Sequence, residues 1–275
     1  MKAPRRPGFP ISADRMNQWI GDFAGYRINI SEGRVERWLQ GFRPRHRDIA
    51  ARVLDAVEFV SHEQIAAAYR TALARLPGWH LDASRRAGKW RFVPFSVSAG
   101  ESGDSMLHAF RLANRLNRRR YDPLFIGKRD LPGEQLTADD SVVFVDDFAG
   151  TGKQAVDAWN EALEELLPGQ PSAYLVLVAT SAQARKRISE ETGLTVVPQH
   201  VLGDSDNIFH DRCTRFSPQD KETIREYCRR ADQVNPAGYG QCGFVIVLSH
   251  NCPNNSIAIL HAFNDRWEGL FRRHD

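Results

Sequence analysis

The sequence predicts an α/β protein: a mostly parallel, twisted sheet flanked by helices, preceded by a helical subdomain. From residue 90 onward short apolar runs alternate with helical stretches, the pattern of strands joined by helical crossovers. The run 173–180 is apolar almost throughout, as a central parallel strand covered on both faces requires. Before residue 77 the apolar residues recur three and four apart, which is the period of amphipathic helices. The change of period across the polar link 83–89 sets the expected division: a helical subdomain, 1–88, and an α/β domain, 89–275.

Each element follows from its pattern. Met16, Trp19, Ile20 and Phe23 form one helical stripe, and Val35, Trp38 and Leu39 a second. Ile49, Val53, Leu54 and Val57 form the next, and Ile65, Ala68, Tyr69 and Leu73 the last, with Pro44 and Pro77-Gly78 as punctuation. No helix-turn-helix signature accompanies these helices, so they read as a docking or lid subdomain rather than a nucleic-acid reader. Strands are expected at 90–97, 123–127, 142–145, 173–180, 195–202 and 243–249. Helices are expected at 106–116, 155–167 and 182–192, with a helical but irregular segment at 209–232.

Composition narrows the class. A formal net charge of +3 over 275 residues is too mild to argue nucleic-acid binding by itself. No apolar run approaches the roughly 20 residues of a membrane span and no secretory signal opens the chain, so a cytoplasmic protein without a membrane partner is expected. Cys213, Cys228, Cys242 and Cys252 contain no Cys-x-x-Cys pair, and His210 with Cys213 lacks the second close pair that a zinc site needs. Free thiols in a reduced compartment follow.

The chemistry concentrates after the strand 142–145. Asp146 and Asp147 stand at its carboxyl end, and Phe148-Ala149-Gly150-Thr151-Gly152-Lys153-Gln154 leads into a helix. In an open α/β sheet ligands collect outside the strand ends, and a loop rich in Gly and Thr lets backbone N–H groups converge on a phosphate. Adjacent carboxylates can accept from a pair of ribose hydroxyls and hold Mg²⁺ through oxygen. A nucleotide-binding P-loop is excluded, because it needs Gly where Asp147 stands and Ser or Thr where Gln154 stands.

This stretch resembles the signature of the type I phosphoribosyltransferases: an apolar strand, two acidic residues, then x-x-x-Thr-Gly-x-Thr. Asp146, Asp147, Thr151 and Gly152 match it in place, while Gln154 replaces the final Thr and substitutes an amide for one hydroxyl contact to the 5-phosphate. The resemblance implies phosphoribosyl pyrophosphate or a related nucleotide as ligand and Mg²⁺ as cofactor. Asp146 and Asp147 would then orient the ribose and hold the metal, and residues 148–154 would bind the phosphate. It also implies a pyrophosphate loop at Ser98, Ala99, Gly100, Glu101, Ser102 and Gly103, with Lys128 and Arg129 on a segment that meets the leaving group.

The segment Pro253-Asn254-Asn255-Ser256, taken with that signature and the helical first third, is similar to phosphoribosyltransferase-like proteins of bacterial conflict systems, some encoded beside retron reverse transcriptases. That branch implies an anti-phage effector whose partner is a reverse transcriptase with its non-coding RNA, or a winged-helix protein. Tyr239, Asn251, Asn254 and Asn255 would read the acceptor base through amide and hydroxyl hydrogen bonds. Tight-turn chemistry explains the asparagines equally well. Three functions compete: a phosphoribosyl-transferring or hydrolysing enzyme, a non-catalytic sugar-phosphate sensor that regulates a partner, and nucleic-acid binding by the helices of 1–88.

Overall fold

The computed structural model describes residues 11–95 and 103–273. In chain order the elements are α1 Ala13–Asp22, α2 Glu32–Gln40, α3 Arg47–Asp55, β1 Glu58–Val60, α4 His62–Arg75, β2 Trp90–Pro94, α5 Gly103–Ala113, β3 Ser141–Val145, β4 Phe148–Ala149, α6 Lys153–Ala158, β5 Ser172–Ser181, α7 Ala182–Thr192, β6 Thr195–Leu202, α8 Pro218–Ala231, β7 Ile246–Leu248, α9 Ala258–His261, β8 Phe263–Asn264 and β9 Trp267–Glu268. The fold class is α/β, with a mostly parallel sheet flanked by helices. By contacts the chain forms two compact units, Met1–Ser61 with Asp206–Asp275, and His62–Ser205. The expected boundary at 88/89 does not coincide with this division: α4 counts with the parallel sheet, and the last quarter of the chain counts with the first three helices.

In the unit 62–205 the sheet order is β2-β3-β5, with β6 on the far edge of β5 and β4 continuing the line of β3, all parallel. Asp140 fixes the start of this arrangement, its carboxylate accepting from the N–H of Lys89 at 2.7 Å and of Thr137 at 2.8 Å. Strand residues alternate between faces. Val93, Val142, Phe144, Leu175 and Leu177 pack with Ala155, Ala158, Trp159 and Ile188 from the α6 and α7 side. On the other face Phe92 meets Phe110 of α5, which in turn meets Tyr69 of α4. Fully buried aromatic residues of this kind each stabilise by about 1.5–3 kcal/mol.

Two expectations fail here. The strand at 123–127 is absent: Arg119–Leu124 winds as a 3-10 turn, and only Phe125 bridges Phe92, with Ile126 N–H donating to the Phe92 carbonyl at 3.2 Å. Pro123 carries no N–H to give a ladder, so pairing is reduced to one edge bridge. The helix expected over 155–167 begins at Lys153 but changes to a π turn at Trp159–Leu163 and a 3-10 turn at Glu164–Leu166.

In the unit 1–61 with 206–275, α1, α2 and α3 share a core with α8, α9 and the C-terminal segment, built on Trp19, Phe23, Trp38, Leu54, Ile224, Ile259 and Phe271. The expected late strand shrinks to β7, which pairs with β1 in a separate two-stranded parallel sheet rather than joining the main one. Glu58–Val60 lies inside the region that read as helical; three residues are too few for a period of two to show.

Helix α8 illustrates how a terminus is fixed. Ser217 caps it reciprocally with Asp220, Pro218 occupies the first turn, and Arg52 grips the Asp220 carboxylate with two bonds of 2.9 and 3.0 Å. Those bonds from Arg52, then those from Ser217, hold the Asp220 carboxyl at about 2, against an ordinary 3.8. A depressed carboxyl contributes stability above its ordinary value and loses it as the pH falls through the folded value. Asp220→Asn is therefore expected to cost about 1–2 kcal/mol at pH 7. Urea titrations at successive pH values should show the gap to wild type closing between pH 4 and pH 2, and a pH-independent gap would refute the assignment.

The four cysteines are unpaired thiols, three of them buried. Among the described residues no helix is long and apolar enough to cross a membrane.

Candidate functional site

The site begins where the β3 ladder breaks. Asp146 N–H still donates to the Val176 carbonyl at 3.1 Å, as a continuing parallel strand would. The next rung then shifts: Val178 and Ala179 N–H both donate to the carbonyl of Asp147, at 2.9 and 3.1 Å. The Asp146 carbonyl takes a bond from the Tyr69 hydroxyl instead, at 3.1 Å. Pairing resumes at β4, where Phe148 lies opposite Ala179. The two carboxylates therefore sit, half-buried, on a distorted step at the carboxyl end of the sheet. Asp146 Oδ1 accepts from the Asp147 N–H at 2.9 Å, which fixes the direction of the first side chain.

Tyr69 is fully buried, and burial first, then the charges of Asp147 and Asp146, push its phenol well above the ordinary range. It stays a donor at any physiological pH. Removing that hydroxyl deletes the bond it donates to the Asp146 carbonyl, so Tyr69→Phe is expected to destabilise the protein by about 0.5–1.5 kcal/mol. Chemical denaturation checks this, and a neutral substitution would mean the ladder break does not depend on α4.

The loop that follows is held by its carbonyls. Thr180 Oγ1 donates to the Ala149 carbonyl at 2.9 Å, and Ser181 Oγ donates to the Gly150 carbonyl at 2.7 Å while capping α7 through Ala184 N–H at 2.8 Å. Gly152 takes a left-handed conformation, φ +72°, against α7. Among the described residues, the N–H groups of Gly150, Thr151 and Gly152 meet no acceptor. A row of amide donors on a loop whose carbonyls are tied back is the arrangement that binds an anion. Thr151 Oγ1 accepts from Lys153 N–H at 3.3 Å, Lys153 pairs with Asp157, and Gln154 is exposed on the first turn of α6.

Asp146, Asp147 and residues 148–154 follow one another directly from the carboxyl end of β3 into α6. Ser98, Ala99, Gly100, Glu101 and Ser102 lie outside the described residues, while Gly103 is buried and opens α5. Lys128, half-buried, and Arg129, exposed, start the 3-10 turn Lys128–Glu134. Their turn follows the single parallel bridge from Phe125 to Phe92 and ends at Glu134, whose carboxylate pairs with Arg91 of β2.

Tyr239, Asn251, Asn254 and Asn255 belong to the other unit, where turn-building accounts for the bonds they make. Tyr239 N–H donates to the Asn254 carbonyl at 2.7 Å, and the Asn255 amide returns a bond to the Tyr239 carbonyl at 2.9 Å. Asn251 closes a tight turn with Leu248. Sequence reasoning missed Tyr69, Thr180 and Ser181. Polar residues at the carboxyl end of a central strand were the available signal for the last two.

Two carboxylates of this kind suit Mg²⁺, which keeps much of its water and takes few protein oxygens. Among the described residues no three His, Cys, Asp or Glu side chains gather as a metal cluster, so a metal here would draw its other ligands from water and substrate.

A family model, PRTase-CE, matches residues 35–273, and no curated protein matches the chain. That match spans most of the sequence and includes the acid pair and its loop, so the chain belongs to the PRTase-CE family and is a phosphoribosyltransferase-like protein.

Proposed function

We propose that this protein binds phosphoribosyl pyrophosphate, or a nucleotide of the same build, and passes the phosphoribosyl group to a nucleophile or to water. The observation that carries the reading is the pairing of half-buried Asp146 and Asp147 with the anchored loop, whose Gly150, Thr151 and Gly152 N–H groups meet no acceptor among the described residues. The loop would receive the 5-phosphate, and the two carboxylates would accept from the ribose hydroxyls. As the bond from ribose C1 to the pyrophosphate oxygen breaks, positive charge develops on the ring and stays close to both carboxylates. Lys128 and Arg129, with residues 98–103, are the proposed partners of the departing pyrophosphate. Mg²⁺ held at Asp146 and Asp147 would supply further neutralisation of that leaving group.

Incubation with phosphoribosyl pyrophosphate and Mg²⁺, with and without a panel of bases, tests this by pyrophosphate release. Release in either arm supports transfer or hydrolysis. Tight binding without release favours the second reading, a sensor that reports ligand occupancy to a partner. Two observations favour that alternative: Gln154 replaces the hydroxyl residue of the phosphate loop, and Lys153 is already paired with Asp157.

The wider proposal is a cytoplasmic effector of bacterial anti-phage defence, retron-associated, working with a reverse transcriptase and its non-coding RNA or with a winged-helix protein. Its support is the similarity of the acid-pair signature and the Pro253–Ser256 segment to conflict-system proteins. Loss of phage protection on Asp146→Asn with Asp147→Asn, in cells carrying the intact locus, is the expected result.

A further inference from the structure

The net charge of the chain is mild, but its distribution is uneven. Between Ser105 and Tyr121 stand five arginines, Arg111, Arg115, Arg118, Arg119 and Arg120, and no Asp or Glu. In the unit 62–205 the end of this run lies beside a second basic turn, Ala83–Arg85 followed by Arg86. Tyr121 joins the two. Arg120 Nη2 donates to the Tyr121 hydroxyl at 2.8 Å, and its guanidinium lies 4.7 Å over that ring. Burial lowers the Arg86 pKa, while Tyr121 and then Asp82 oppose that shift, so Arg86 stands close to the same phenol.

The carboxylates beside these arginines are already engaged. Asp82 accepts from the Ser84 N–H at 3.0 Å and from its hydroxyl at 2.9 Å, and Asp122 pairs with Arg111. Arg118, Arg119 and Arg120 are exposed, and neither Arg118 nor Arg119 has a carboxylate partner among the described residues. Arg86 is held in place: it donates to the carbonyls of His80 and Leu81 at 2.7 and 2.9 Å and lies 4.6 Å over the Trp79 ring. Gathered cations of this kind create a positive potential that draws an anion from solution.

The arrangement selects among anions. Arg118 caps the 3-10 turn that Arg119 and Arg120 open, and side chains on such a turn stand about 120° apart. They fan out over the surface rather than converging on one phosphate. All are arginines, whose forks match phosphate oxygens. We propose that Arg86, Arg118, Arg119 and Arg120 form a docking surface for the phosphodiester backbone of a nucleic acid. Arg86 and Arg120, fixed over aromatic rings, orient the strand, and Arg118 and Arg119 neutralise successive phosphates. This surface works whether or not the acid-pair site turns over a ligand.

The test titrates the full chain into a fluorescently labelled single strand and into the matching duplex, followed by anisotropy at several salt concentrations. Arg118→Gln with Arg119→Gln should weaken binding about tenfold at low salt and flatten the plot of log affinity against log salt by about 1.4 for a single strand. The melting temperature and the affinity for phosphoribosyl pyrophosphate should not change. Arg118→Lys with Arg119→Lys keeps the charge and should keep the salt slope at a smaller loss of affinity, so a folding defect in the Gln variant cannot imitate the result. Arg185→Gln with Lys186→Gln removes the same formal charge from the exposed side of α7 and should leave binding near wild type. Preference for the single strand or for the duplex supports the proposal and names the form of the partner. No binding by the wild-type chain, an equal loss in the α7 variant, displacement by polyglutamate as effective as by unlabelled oligonucleotide, or binding to anionic lipid vesicles alone would overturn it.

Discussion

Asp146→Asn combined with Asp147→Asn is expected to remove most of the affinity for phosphoribosyl pyrophosphate with Mg²⁺ while leaving the melting temperature equal or higher. The two changes keep shape and acceptor oxygens. An Asn at 146 still offers Oδ1 to the neighbouring N–H that Asp146 now engages at 2.9 Å, so the local turn survives. What disappears is charge: two adjacent carboxylates repel one another. Neutralising them relieves that repulsion in the empty protein. In the complex, hydrogen bonds to charged acceptors are worth about 1.5–3 kcal/mol each, so losing two should weaken binding by a hundredfold or more. Calorimetric titration beside a thermal melt reads both quantities. A folded double variant that binds phosphoribosyl pyrophosphate as tightly as wild type would move the ligand away from this strand end.

The parallel sheet was legible because its strands are apolar and long enough for their type to show. The strand expected at 173–180 is β5, extended by one residue at each end, and the expected helix 182–192 is α7 without change. The acid pair and its loop were legible for a different reason: desolvating two neighbouring carboxylates at the end of a buried strand makes sense only with a ligand or partner. Three things were not legible. β1 is three residues long and depends on β7, nearly two hundred residues away, so nothing local announces it. The division into units follows the return of the last quarter of the chain to the first three helices, which periodicity cannot express. Tyr69 looked like one more member of a helical stripe because its ring is core, while its hydroxyl performs the task that matters for the site.

Gly152→Val is the second large effect, and it should damage the fold and the site together. The residue stands at φ +72°, where a β-branched side chain is strained, and a Cβ there would meet the Ala184 carbonyl oxygen and Ile188 Cγ1, each at 3.1 Å. Both contacts belong to α7, which is pinned by the Ser181 cap and cannot retreat without loosening the Ser181 hold on Gly150. The strain therefore returns to the loop, turning its N–H groups away from a common point. A cost of about 1–3 kcal/mol in stability is expected from the backbone conformation alone, accompanied by loss of phosphate binding at this loop. Gly152→Asn separates the two causes, because Asn tolerates the left-handed region but still carries the crowding Cβ. If contact with α7 dominates, Asn behaves like Val; if the dihedral dominates, Asn recovers most of the stability. Denaturation midpoints and phosphoribosyl pyrophosphate affinity measured on both variants decide between them, and a Val variant as stable and as tight-binding as wild type would show that neither the left-handed turn nor its packing on α7 shapes the site.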